Sequence, residues 1–155
     1  MRLAINRLVL STSLLLGTLT PAWADSAIII EDAFVRATPP GQSNSAAFMR
    51  LKNSSDQAVN LTTAASDVAD KVELHGHQHD NGVMRMRQMM SITLPPQTTT
   101  ALEPGGLHIM LLGLHSPLVA GEQIELNLSF SNGETQTVTL PIQMPGGHGA
   151  GHQHH

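Results

Sequence analysis

The sequence predicts an all-β domain, built as an antiparallel sandwich or a small barrel, and three observations carry that expectation. Several stretches alternate apolar and polar residues with a period of two. Gly, Pro and Asn-Gly punctuation separates these stretches at short intervals. Helical periodicity is almost absent, with only residues 67–72 able to spare a single helical turn.

The first 24 of the 155 residues do not belong to that pattern. "MRLAINR" is basic, "LVLSTSLLLGTL" is apolar but shorter than the about 20 residues a membrane-spanning helix needs, and Ala22-Trp23-Ala24 fits a small-x-small cleavage rule. Residues 1–24 therefore read as a secretory signal, which predicts a periplasmic protein. "AIIIEDAFVRA" supplies the opening strand of the remaining chain. "AAFMRLKN" and "QAVNLTTA" form a candidate strand pair around Ser54-Ser55-Asp56. "ITL" and "TTALE" are short strands bracketed by Pro95-Pro96 and Pro104-Gly105-Gly106. In "QIELNLSF", Ile124, Leu126, Leu128 and Phe130 share one face, and Asn132-Gly133 reads as a two-residue hairpin turn into "TQTVTLPI". Residues 25–144 are thus one β domain. The last stretch, 145–155, is rich in Gly and His with nothing to bury, and is expected to be a disordered, flexible tail.

Composition narrows the function. Cleavage after Ala24 leaves six basic against twelve acidic side chains, a net charge of −6, so nucleic acid and anionic lipid are poor partners. With no cysteine in the chain, no disulfide supports the fold and no lipidated cysteine serves as a membrane anchor. No nucleophile set, phosphate loop or dinucleotide fingerprint can be read, so an enzyme is not expected.

The most unusual stretch is "HGHQHDNGVMRMRQMM" at residues 75–90. With Asn81-Gly82 as a two-residue turn, His77 lies opposite Met86 and His79 opposite Met84, while His75 is diagonal to Met86. Alternation puts His75, His77, His79, Met84 and Met86 on one face and Arg85 and Arg87 on the other. In "GGLHIMLLGL", His108 and Met110 also share a face. Thioether sulfur is soft and uncharged, a poor ligand for zinc, calcium or magnesium and a good one for Cu(I). Thiolates would bind more tightly but oxidise in an exported protein. The donor set therefore points to Cu(I) held by neutral ligands and able to leave again. An electron-transfer copper site would need a cysteine ligand, which the chain lacks. Met49, Met89, Met90 and Met144 read as core filler, and His115 as a solvated loop residue.

The spacing His75-x10-Met86-x21-His108-x-Met110 resembles the signature of the periplasmic copper chaperones called PCu(A)C. "VRATPPGQSNSAAFMRLKN", "KVELHGH", "DNGVMRMR", "LEPGGLHIMLLGL" and "PLVAGEQIELNLSFSNGE" look like that family too, so the resemblance spans about residues 28–142. It implies a cupredoxin-like antiparallel Greek-key β-barrel or sandwich binding one Cu(I) through His75, Met86, His108 and Met110. It also implies delivery of copper to cytochrome c oxidase assembly, in particular the CuA domain, alongside a Sco-type protein. Family members with a histidine-rich extension bind Cu(II) there, which assigns His148, His152, His154 and His155 to a second site. The departure from the pattern is His77 and His79 beside His75. With Met84 they are auxiliary donors, and hairpin geometry alone favours His77 where the family spacing favours His75. The alternative function is a copper or zinc scavenging or storage protein that uses the hairpin and the tail.

Overall fold

A computed structural model describes residues 26–145; residues 1–25, which include the expected signal segment, and residues 146–155 of the histidine-rich stretch lie outside the described residues. Ten strands follow in order: β1 (Ile28–Arg36), β2 (Asn44–Asn53), β3 (Val59–Ala65), β4 (Ala69–Asp80), β5 (Val83–Gln88), β6 (Ile92–Leu94), β7 (Thr99–Leu102), β8 (His108–Leu114), β9 (Gln123–Phe130) and β10 (Thr135–Gln143). Residues 67–72, the one stretch able to spare a helical turn, form a turn and the start of β4 instead. Among the described residues no helix is long and apolar enough to cross a membrane.

The strands form one sheet in the order β5-β4-β8-β2-β1-β10-β9-β3-β6, with β7 added beside β2. The all-β expectation holds, but the barrel does not: the sheet is open, with β5 and β6 as its edges. Nor is it wholly antiparallel, because β1 and β10 run parallel through Val35↔Ile142 and Arg36↔Gln143. The physical reason for the missing closure lies in the two edges. β6 is three residues long and runs into Pro95-Pro96, which have no N–H to donate. β5 is exposed at every position and carries Arg85 and Arg87, features that discourage further strand pairing. Only residues 89–91 separate these edges in sequence, yet the strands do not pair.

Alternation in β9 buries Ile124, Leu126, Leu128 and Phe130, the face expected from sequence. These residues join Leu51 and Met49 of β2, Leu61 of β3, Leu74 of β4, Ile109 and Leu111 of β8 and Leu140 of β10 in one apolar cluster. Burial of this cluster is the main favourable term in folding. The sheet therefore encloses a single core without closing its edges. A bulge in β1 between Glu31 and Phe34, with Asp32 at φ 51°, lets the strand pair first with β2 and then also with β10.

Two turn assignments change. β2 and β3 do not pair with one another; β2 lies against β1, β7 and β8, and β3 against β6 and β9. The buried Asn53 side chain makes the corner between them. Its Nδ2 donates to the carbonyls of Gln57 (2.7 Å) and Leu94 (3.0 Å), and its Oδ1 accepts from the Ser55 amide (3.0 Å) and hydroxyl (2.7 Å). The β9–β10 connection is a three-residue loop, Ser131–Gly133, rather than a two-residue turn. The Phe130 amide donates to Glu134 (2.9 Å) and the Gly133 amide to Phe130 (3.0 Å), with Gly133 at φ 86°. That is a type I turn followed by a glycine bulge.

Of the methionines expected in the core, Met49 is fully buried and Met89 packs against the core. Met90 and Met144 are exposed, at 97% and 64%. The first sits in the link between the two sheet edges and the second just beyond β10, where no facing strand covers them.

Candidate metal centre

The β4–β5 hairpin has the register its sequence dictates. Asn81 and Gly82 take φ 49° and 82°, the pair of positive values a type I′ turn needs, and Asn-Gly supplies them at least cost. His77 pairs with Met86, His79 with Met84, and His75 with Gln88. On its other side β4 pairs with β8, which puts His75 opposite His108 and Glu73 opposite Met110. Between these pairs Leu74 lies opposite Ile109, and both are in the core. Alternation therefore sends the core residues to one face of the sheet. Glu73, His75, His77, Met84, Met86, His108 and Met110 go to the other, at the open end of the sheet.

The three imidazoles of this face whose side chains are described come together. The His75 and His108 rings are 5.7 Å apart between centroids, and the His77 and His108 rings 6.1 Å. His108 is buried, while His75 and His77 are half-buried. The thioethers are graded: Met110 is half-buried between β4 and β2, whereas Met86 and Met84 on the edge strand are 51% and 52% exposed. Met86 stands two pairs further toward the turn than His75, so its side chain must reach back diagonally, over about 7–8 Å between backbones. Among the described residues no three His, Cys, Asp or Glu side chains form a ready-made cage, so a metal on this face would need the thioethers as well.

Hydrogen bonds fix which nitrogens are available. The turn Glu103–Gly106, closed by the Gly106 amide donating to Glu103 (2.9 Å), brings the Gly106 carbonyl over the rings. His108 Nδ1–H donates to it at 3.0 Å and His77 Nδ1–H at 3.3 Å, leaving Nε2 of each as the lone-pair nitrogen. His75 is held the other way round. Its Nε2 meets the Glu73 carboxylate at 2.8 Å, and its buried Nδ1 has no hydrogen-bond partner. A buried polar atom without a partner is costly and calls for an explanation.

The surroundings keep His108 neutral. Burial holds its pKa below the ordinary 6.5; nearby His75, His77 and Arg36 add to the lowering, and the bond to Gly106 opposes it. Phe48 stands 6.3 Å from the His108 ring, Phe34 5.3 Å from Phe48, and the Arg36 guanidinium lies over Phe48. Neutral imidazole is the form that ligates metal.

Comparison with known proteins places the chain. Residues 28–142 match the family model described as "Putative lipoprotein LpqE-like". The chain belongs to the LpqE-like family. Within this family setting, the LpqE-like chain is 35% identical over 125 residues to "Putative lipoprotein Lxx21020" of Leifsonia xyli subsp. xyli, covering 80% of this chain and 74% of that one. It is 34% identical to the solution structure of CuI-DR1885 from Deinococcus radiodurans, with a TM-score of 0.64 and coverage of 79% and 81%. The fold also matches the copper-bound PCuAC domain from PmoF2, with a TM-score of 0.67, 24% identity and coverage of 77% and 95%. The LpqE-like chain thus has a PCuAC-like fold.

Of the residues expected from sequence, His75, His77, Met86, His108 and Met110 lie on one face of the LpqE-like domain. Met84 and the backbone of His79 extend that face toward the turn. His148, His152, His154 and His155 lie outside the described residues. His115 is exposed, with Nε2 3.0 Å from the Asp70 carboxylate. Glu73, Gly106 and Phe48 were missed by sequence reasoning. Glu73 was within its reach, because "ELH" puts Glu73 and His75 on the same face of a strand.

Proposed function

We propose that this LpqE-like protein is a periplasmic copper chaperone that takes one Cu(I) through His75, Met86, His108 and Met110 and gives it up to an accepting protein. The observation that carries the reading is the buried, unpartnered Nδ1 of His75 beside His108, on a face that also bears Met86 and Met110. Two neutral imidazoles and two thioethers suit the soft monovalent ion and leave it exchangeable. Further support comes from the similar protein at 34% identity, DR1885 of Deinococcus radiodurans, which was solved in a CuI form. Met86, half-exposed on an edge strand, is the ligand best placed to let go first. His77, directly opposite Met86, is a stepping donor for the departing ion, with His79 and Met84 beyond it.

The proposed recipient is the CuA domain of cytochrome c oxidase, with a Sco-type protein as co-worker. Composition alone supports a second, Cu(II) site at His148, His152, His154 and His155, since imidazoles without thioethers favour Cu(II) and also accept zinc. The test is anaerobic titration with Cu(I) against a chromophoric chelator, followed by mixing the loaded protein with a metal-free CuA-type domain. One tightly held Cu(I) that moves to the CuA-type domain supports the chaperone. Retention of Cu(I) in its presence indicates storage instead. Wild-type Cu(I) affinity in a Met86→Ala, Met110→Ala double variant ending at Met144 would overturn the ligand assignment.

A further inference from the structure

Glu73 sits on β4 two residues before His75, on the same face and opposite Met110. Its carboxylate oxygen is 2.8 Å from His75 Nε2, and both side chains are largely shielded, at 21% and 14% exposure. An ionised carboxylate only accepts hydrogen bonds, so the proton between them belongs to Nε2. A neutral imidazole with its proton on Nε2 has its lone pair on Nδ1, and Nδ1 is the buried atom that lacks a partner. His108 is set in the opposite tautomer by a backbone carbonyl, and its Nε2 is the bare nitrogen. The two rings therefore carry their free lone pairs on different nitrogens.

We infer that Glu73 is a positioning residue of the centre: it holds His75 in the Nε2–H tautomer and so makes Nδ1 the nitrogen that meets Cu(I). The inference rests on the proposed Cu(I) reading for its ligand but not for the tautomer, which exists in the metal-free protein. Glu73 does not bind the ion. It orients the ring, raises the basicity of its free nitrogen and places a negative charge beside a centre whose ligands are all neutral. A carboxylate behind a ligating histidine has this role at many metal sites, and its loss costs about 10–100-fold in metal affinity. Glu73→Gln keeps the shape but removes the charge, and its amide can also donate to Nε2, which would move the proton to Nδ1. Glu73→Asp keeps the charge on a shorter stem.

The experiment combines two readouts on full-length protein. Long-range proton–nitrogen NMR of the metal-free chain reports which His75 nitrogen carries the proton, and chelator competition reports Cu(I) affinity. Wild type should show Nε2–H at His75. Glu73→Ala and Glu73→Gln should lose the single tautomer and bind Cu(I) about 10–100-fold more weakly, with Glu73→Asp recovering part of both. Unfolding midpoints of the variants separate these effects from simple loss of fold. A His75 that stays Nε2–H in Glu73→Ala, or a Cu(I) affinity there within about threefold of wild type, overturns the inference. A wild-type chain that takes no Cu(I), or a His75→Ala variant that binds it as tightly, overturns the copper reading and with it the ligand role of Nδ1. The NMR result then still decides whether Glu73 sets the tautomer.

Discussion

Two hairpins of this molecule, β4–β5 and β9–β10, use related sequence devices for opposite ends. Both turn at an Asn-Gly pair, and both alternate side chains across a strand. In β9 the alternation sends Ile124, Leu126, Leu128 and Phe130 into the core, and the hairpin joins the sheet on both sides. In β5 no residue is buried, and the side chains on the site face are the Met84 and Met86 thioethers and Gln88. The difference shows where free energy of folding and capacity for chemistry come from. Stability belongs to the hairpin whose inner face is apolar; the donor-rich hairpin is carried by β8 beside it and can hold exposed thioethers at an open edge.

The largest expected effect separates the two hairpins by stability. Leu128→Ala should cost about 2–5 kcal/mol in a denaturant melt, as for other leucines deleted from a core. Met86→Ala, at a half-exposed edge position, should change the same melt by no more than about 0.5 kcal/mol. Equal losses would mean that β5 contributes to the fold in a way its exposure does not suggest.

Cu(I) affinity should rank the hairpins the other way. Met86→Ala and Met110→Ala should weaken Cu(I) binding by more than the about 10–100-fold that loss of an outer-shell partner costs. His75→Ala should do more damage than His77→Ala or His79→Ala. The reverse order would show that the ion follows the directly opposed pair His77 and Met86 rather than the diagonal one.

A smaller effect tests how far each turn is coupled to the whole. Gly82 and Gly133 both have positive φ, and a Cβ at either would meet open space, so replacement by Ala adds conformational strain and no clash. The strain is about 1–2 kcal/mol for a residue forced left-handed. At Gly133 it should appear in the global unfolding midpoint. At Gly82 the tip can fray instead, so amide exchange near the turn should quicken while the midpoint moves less.

The mildest test is pH. His108 has a folded pKa below 6.5, so the unfolded chain takes up that proton first as pH falls. The metal-free protein should therefore lose stability from about pH 6.5 downward, until the lowered value is passed and the loss levels off. Melts of wild type and His108→Gln between pH 7.5 and 5 should diverge in that window. Parallel curves would show that burial of His108 does not oppose its protonation.

Much of this was legible in residue order, for physical reasons that differ by element. The period-two pattern of β9 and the Asn81-Gly82 turn are local, and both came out in the expected register. The β2–β3 pairing and barrel closure are long-range properties, decided by which edges can still donate and accept hydrogen bonds, and the sequence pattern is silent on them. The loop at Asn132-Gly133 took one residue more than the shortest solution, because Ser131 is held to the Asn60 carbonyl by its amide (2.8 Å) and to the Asn60 amide by its hydroxyl (2.9 Å). On the candidate site, strand alternation brings His75, His108 and Met110 to one face, whereas the tautomers depend on the approach of the Glu73 carboxylate and the Gly106 carbonyl, which residue order does not fix.

Copper K-edge X-ray absorption of the anaerobically loaded protein is the sharpest test of the proposed Cu(I) centre of two imidazoles and two thioethers. A mixed nitrogen and sulfur shell is expected, with the sulfur contribution falling in Met86→Ala and falling further when Met110→Ala is added. A shell of nitrogen and oxygen alone, or a sulfur signal unchanged by both substitutions, would contradict it.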